Sequence, residues 1–311
     1  MARSVSRRTF MKGAAVTAGG LAVSQLPTPA FAVTGIELGL WPDGPDYRNL
    51  LQAEQQLGRK FGAFRERGRH SLQHPLYSSD MVQSVKAGRR ALLEINCRVG
   101  GSGKDAYISF TRGMSSEFTP RYREFARQLR ALPTARGPHL LELQSEANID
   151  KHFSGSITDY HRWCRHVLNI LRSEGADNFL AVCSITRGCY PSGEGWVDPS
   201  IHDVAGVDGY SKPRLGGFAM KPFSEVGGPC RQFANANGMR WGVFETGCQE
   251  AGGTYKAEWI NSMSSWMVGN GTRCEVAVWN HSNDAEGGWR YDTSSSSLSA
   301  FKQMASSSIW G

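Results

Sequence analysis

The feature that most restricts the fold is an alternation. Eight short apolar runs, bounded by turn residues, recur along the chain with amphipathic helical stripes between them. The runs span residues 36–41, 61–64, 91–97, 139–148, 179–185, 204–210, 241–245 and 275–279. Leu50, Leu51, Ala53 and Leu57 form the first stripe, with Asp46 placed to cap it, and a second helix surrounds Met81 to Ala87. Thr119 and Pro120 read as a cap and first helical residue ahead of Tyr122, Phe125, Ala126 and Leu129. The clearest stripe is Tyr160, Trp163, Cys164, Val167, Leu168 and Leu171, stopped by Gly175. Tyr255, Trp259, Ile260, Met263 and Met267 make another, and Leu298, Phe301 and Met304 close the chain. Strands alternating with helices in this number predict an α/β fold, a single-domain (β/α)8 TIM barrel and not an open sheet. Length agrees, since such a barrel takes about 250 residues and neither a linker nor an internal repeat interrupts the pattern.

Residues 1–32 stand apart from this pattern. Ser6-Arg7-Arg8-Thr9-Phe10-Met11-Lys12 precedes a weakly apolar run, and Ala30-Phe31-Ala32 offers the small residues a signal peptidase needs. The paired arginines resemble a bacterial twin-arginine export signal. The barrel is then expected over residues 33–311, secreted already folded by the twin-arginine translocase. The apolar run falls short of the ~20 residues that cross a bilayer, so a soluble monomer without stable membrane association is expected. Arg3, Arg7, Arg8 and Lys12 carry four of the formal +7 charges, leaving +3, which gives no case for nucleic acid as a partner. Arg65-Glu66-Arg67 and Arg121-Tyr122-Arg123-Glu124 mix signs and read as solvated faces or ion pairs.

Seven cysteines leave at least one unpaired. Cys189, Cys230 and Cys248 fall on expected loops, where a pair could pin them, whereas Cys164 and Cys183 sit in apolar core patterns. No Cys-x-x-Cys and no His-x-His at a strand end occur, so neither a metal nor another cofactor is expected. Gly100 to Lys104 departs from a phosphate loop in its glycine spacing and in having Asp105 where Ser or Thr is required; it reads as a plain loop.

Chemistry concentrates at two strand ends. Residues 239–247, Met-Arg-Trp-Gly-Val-Phe-Glu-Thr-Gly, follow the Asn237-Gly238 turn and place Glu245 at the carboxyl end of a buried strand, where the loops of a parallel barrel converge. In the fourth run, Glu142, Gln144 and Glu146 share one face and Leu141 and Leu143 the other, so Glu146 can face Glu245 across the mouth. Two facing carboxylates are the minimum for breaking a glycosidic bond. Trp41, Tyr210 and Trp279 end strands 1, 6 and 8, and Tyr190 and Trp196 follow strand 5. Rings in such places suit the apolar faces of sugars.

Three segments resemble glycoside hydrolase family 26, the retaining barrel enzymes that include β-mannanases: Ser145-Glu146-Ala147-Asn148, the strand-6 segment from Asp203 through Asp208 to Tyr210, and Phe244-Glu245-Thr246-Gly247. The resemblance implies a secreted hydrolase of a β-linked polysaccharide (mannan, glucan or xylan type), with Glu146 as acid/base and Glu245 as nucleophile. It further implies Tyr210 as hydrogen-bond partner of the nucleophile, Trp279 as a platform beside the scissile sugar, and Asn148 and Asp208 within the substrate site. Ser145 stands where that family usually has histidine. A hydrolase of bacterial cell-wall glycan and a barrel that holds glycan without cutting it are the alternatives.

Overall fold

Strand β1 (Glu37–Pro42) pairs in parallel with β2 (Ala63–Arg65) on one side and with β8 (Cys274–His281) on the other, and this second pairing closes the sheet. Between them run β3 (Arg90–Ile95), β4 (His139–Leu143), β5 (Phe179–Thr186), β6 (Val204–Ser211) and β7 (Arg240–Cys248), each paired with its neighbours, so the eight strands form one closed parallel barrel. This computed structural model describes residues 35–43, 47–66, 71–100, 106–149, 155–190, 192, 195–213, 221–284 and 287–311. The expected leader, the Asp46 cap and the loop at 101–105 lie outside them. Among the described residues no helix is long and apolar enough to cross a membrane.

The helices around the barrel are α1 (Tyr47–Leu57), α2 (Ser79–Lys86), the short α3 (Phe110–Gly113), α4 (Thr119–Arg130), α5 (Ile157–Ser173), α6 (Ser224–Ala236), α7 (Tyr255–Asn270) and α8 (Ser295–Ala305). Their caps follow from local chemistry. Ser78, Ser156 and Ser294 each accept from backbone N–H groups of the first turn, and Ser294 with Ser297 forms a reciprocal pair. Thr119, expected as a cap, is instead the first residue of α4; the chain enters through Phe118, which caps nothing with its side chain. Pattern reading did not reveal α6, whose Gly227-Gly228-Pro229 breaks the apolar stripe.

Two apolar layers hold the barrel. Outward-facing residues such as Leu141, Leu143, Trp241, Val243 and Trp279 pack under the helices. Inward, Ala63, Leu92, Leu140, Leu180, Val182, Val204, Phe244, Val276 and Val278 fill the interior. Phe244 needs room, and two glycines provide it: a Cβ on Gly206 would lie 2.8 Å and one on Gly242 2.9 Å from its ring.

Buried histidines give this fold a dependence on pH. Burial lowers His139 to about 4 and both His202 and His281 to about 3. Each is neutral when folded, so its contribution is complete above the unfolded value of about 6.5 and is lost as pH falls through the folded value. The stability advantage of the wild type over His202→Gln, measured by thermal unfolding, is expected to shrink steadily between pH 6.5 and 3. An advantage independent of pH would exclude the effect.

Candidate active site

A polar layer sits directly on the inner apolar one. Two residues beyond Ala63, Leu92 and Leu140, the period of a strand brings Arg65, Glu94 and Glu142 to the same inner face. Their positions in neighbouring strands make them meet. The Arg65 guanidinium, 2 % exposed, pairs with Glu94, with Glu142 at 3.1 Å and with Glu245 at 3.1 Å. Above it, the ring of Trp41 lies 4.8 Å from the guanidinium carbon. Arg65 was expected on a solvated face or in an ion pair; it is an ion pair, but one buried in the barrel's centre. Burial opposes its charge, yet the carboxylates of Glu94, Glu245, Glu142 and Asp208 outweigh that and hold it firmly protonated.

Glu245 reaches this cluster because of a bulge. Trp241 and Val243 face outward, so strict alternation would turn Glu245 outward as well. In the β6–β7 register, however, Val207 opposes Val243 while Asp208 opposes Glu245, which leaves Phe244 without a partner. The extra residue rotates the strand and turns Glu245 into the mouth. Arg65 Nη1 donates to the Phe244 carbonyl at 2.8 Å, satisfying an oxygen at the irregularity. Tyr210 completes the setting: its hydroxyl donates to Glu245 Oε2 at 2.9 Å and receives a hydrogen bond from Asn280 at 3.1 Å. Burial, and next the charge of Glu245, push the Tyr210 phenol up, so it remains a donor.

Glu146 comes from a different construction. The fourth strand was expected to run to Asn148, but it ends at Leu143, and Gln144 and Glu146 adopt left-handed backbone with φ of 60° and 46°. Such conformations cost a non-glycine residue on the order of 1–2 kcal/mol each and concentrate where function demands them. The turn is tied on both sides. Toward β3, Gln144 N donates to Ile95 O, Cys97 N to Gln144 Oε1 and Ser145 N to Asn96 Oδ1, each at 2.9 Å. Toward β5, Asn148 Nδ2 donates to Thr186 Oγ1 at 2.8 Å and to Cys189 Sγ at 2.7 Å. Asn148, expected in the substrate site, thus uses its amide to anchor the turn that carries Glu146.

Asp208 is 3 % exposed, and neither carboxyl oxygen has a hydrogen-bond partner among the described residues. Burial, then the charges of Glu245 and Glu142, drive its pKa well up; Glu146 adds to this and Arg65 opposes it. Glu142 is likewise raised, first by burial, against Arg65 and with Glu94, Glu245 and Glu146. Both glutamates of interest therefore act on the same two buried acids. An acid raised on folding contributes stability that is complete below its unfolded value, about 3.9, and lost as pH rises through its folded value. Asp208→Asn is expected to gain stability relative to the wild type as pH rises above about 3.9, read by urea unfolding; a constant difference would contradict a neutral Asp208.

Trp279 corrects the expectation of a sugar platform. In β8, Val276 and Val278 point inward, so Trp279 points out; it is fully buried against Trp259 and Phe301, and its indole N–H donates to Trp289 O at 2.9 Å. Tyr190 and Trp196 are also buried, with the Tyr190 hydroxyl donating to Gly206 O. None of the seven cysteines is in a disulfide: Cys230 lies in α6 and Cys248 in β7, not on loops, and Cys164 and Cys183 are core residues as expected. No cluster of three metal-ligating side chains occurs among the described residues. Beside the mouth, a cavity of about 510 Å³ at the β1–β8 seam is lined by Asp43, Asn49, Gln52, Gln56, Arg290 and Asp292 among others, but by none of the central carboxylates.

Comparison with solved structures places this arrangement in context. A GH26 β-mannanase from Bacteroides ovatus superposes with a TM-score of 0.61 at 16% identity, covering 89% of this chain and 90% of its own. The chain has the fold of these enzymes. A modular endo-β-1,4-mannanase of glycoside hydrolase family 26 from Cellulomonas fimi gives 0.64 at 16% identity, over 89% of this chain and 72% of the other. An FMN-binding β-glucuronidase from Facaelibacterium prausnitzii also matches, with a TM-score of 0.57 at 16% identity over 88% of this chain and 44% of the other, so the barrel alone does not fix a substrate. No protein-family model and no curated protein sequence matches the chain.

Proposed function

We propose that this chain is a retaining glycoside hydrolase that cleaves β-linked bonds of a polysaccharide of mannan, glucan or xylan type. The observation that carries the reading is the bulge in β7, which turns Glu245 inward onto Arg65 and Tyr210. A cation and a phenol donor on the two oxygens keep this carboxylate ionised and oriented, as a nucleophile requires. Glu245 attacks the anomeric carbon and forms a glycosyl ester while Glu146, neutral, gives its proton to the departing oxygen. Glu146 then takes a proton from water as that water displaces the ester, restoring both groups. Glu146 suits the acid role because it lies in a separately anchored turn, close enough to Asp208 and Glu142 to help raise their pKa, in a cluster that therefore retains protons. Trp41, half-buried over Arg65, is the ring at the mouth best placed to meet a sugar face.

The fold shared with mannanases supports the substrate class, and the paired arginines support export by the twin-arginine route. Release of reducing ends from mannan, xylan, mixed-linkage glucan and bacterial wall glycan tests the reading. NMR of the first product should show the starting β configuration retained. Binding to any of these glycans without turnover would favour the non-catalytic barrel, and release from wall glycan alone would move the substrate to that class.

A further inference from the structure

Lys256, in the first turn of α7, has its ammonium wholly buried. Removing a lysine charge from water costs several kcal/mol unless its donors are satisfied, and here all three are. Nζ donates to Gly288 O at 2.9 Å, Arg290 O at 2.8 Å and Thr293 Oγ1 at 2.8 Å. The intervening carbonyl, that of Trp289, accepts from Trp279 Nε1 at 2.9 Å. Three consecutive carbonyls of the segment after β8 are thereby fixed by two buried side chains. What they fix is the Trp289 indole. It is 1 % exposed, lies 4.6 Å from the Tyr210 ring, and packs so near Gly247 that a Cβ there would touch it at 3.4 Å.

We propose that Lys256 is a positioning residue: by clamping the carbonyls on either side of Trp289 it holds that indole against Tyr210, and so sets the Tyr210–Glu245 hydrogen bond. The value of this for catalysis rests on the reading of Glu245 as nucleophile, but the clamp itself does not. The Glu250 carboxylate, 4.0 Å from Nζ, balances the charge, while the hydrogen bonds to two carbonyls and the Thr293 hydroxyl give the ammonium a direction that a packed methyl group could not replace. The groups that face Glu245 are Arg65 from β2, Glu142 from β4, and Asp208 and Tyr210 from β6; Lys212 stands 5.5 Å from the Tyr210 ring and 5.6 Å from that of Trp289. Tyr210 both contacts Trp289 and donates to Glu245.

The test is a titration that needs no substrate. In protein labelled with carboxyl-13C glutamate, the Glu245 resonance is assigned by its loss in Glu245→Gln and followed against pH. Losing one donor to a carboxylate should raise its pKa by about one unit in Lys256→Met and equally in Tyr210→Phe, and the double variant should shift no further than either alone. Trp289→Leu, which keeps the ammonium, should give the same rise and also serves if Lys256→Met fails to fold. A rise in Lys256→Met absent from Trp289→Leu would mean that only the lysine's charge acts, and overturns the proposal. So would an unshifted Glu245 in folded Lys256→Met, or additive shifts in the double variant. Absence of turnover on every glycan, with these shifts present, would remove the hydrolase reading and leave the clamp standing.

Discussion

Replacing Glu245 with alanine is expected to lower turnover by at least about 10⁴-fold, the scale on which enzymes lose rate when a nucleophile is removed. The fold should survive. Arg65 loses one of three carboxylate partners but keeps Glu94 and Glu142, and Tyr210 keeps its bond from Asn280. Circular dichroism should therefore overlay the wild type while reducing-end release disappears. Added azide or formate, entering the space left by the side chain, should restore part of the rate and give a product of inverted configuration. Near-normal turnover by the variant would remove Glu245 from the reaction and with it the proposed mechanism.

Arg65→Met is expected to have the largest effect on stability. The substitution fills most of the volume but strands Glu94, Glu142 and Glu245 around a site without a cation. Breaking a buried ion pair from one side typically costs about 3–5 kcal/mol, which for a domain of this size lowers the melting temperature by on the order of 10 °C. The sign of the pH dependence is a second check. Without Arg65 the carboxyls should bind protons more tightly, so the deficit relative to the wild type should narrow as pH falls and widen as it rises. A loss within a degree or two, or one that does not vary with pH, would mean that the cluster is not organised by this guanidinium.

Much of the barrel was legible because its helices carry strong periodic stripes. Tyr160 to Leu171 packs as its spacing predicts, and the strands fall where the apolar runs do. The phase of the strands was harder to read. Both faces of a parallel barrel strand are buried, so Val276, Ala277, Val278 and Trp279 offer no polar contrast to say which points inward, and Trp279 was placed on the wrong side. In β4 the contrast exists, and Glu142 against Leu141 and Leu143 was assigned correctly. Two features left no local mark. The bulge at Phe244 depends on an opposing strand and on Gly206 and Gly242, which make room for the ring. Arg65 sits in a triplet of alternating charge that suits a surface, and only barrel closure brings Glu94, Glu142 and Glu245 around it. Asn96, which receives the Ser145 amide, had no signal beyond its place just after the third strand.

The seven separate thiols have a consequence for how the protein meets its surroundings. No covalent tie between distant parts of the chain contributes to its cohesion, so its endurance should be the same in dithiothreitol as in air. Six of the seven sulfur atoms are also out of reach of oxidants, leaving Cys189 at the rim as the position where damage would first register.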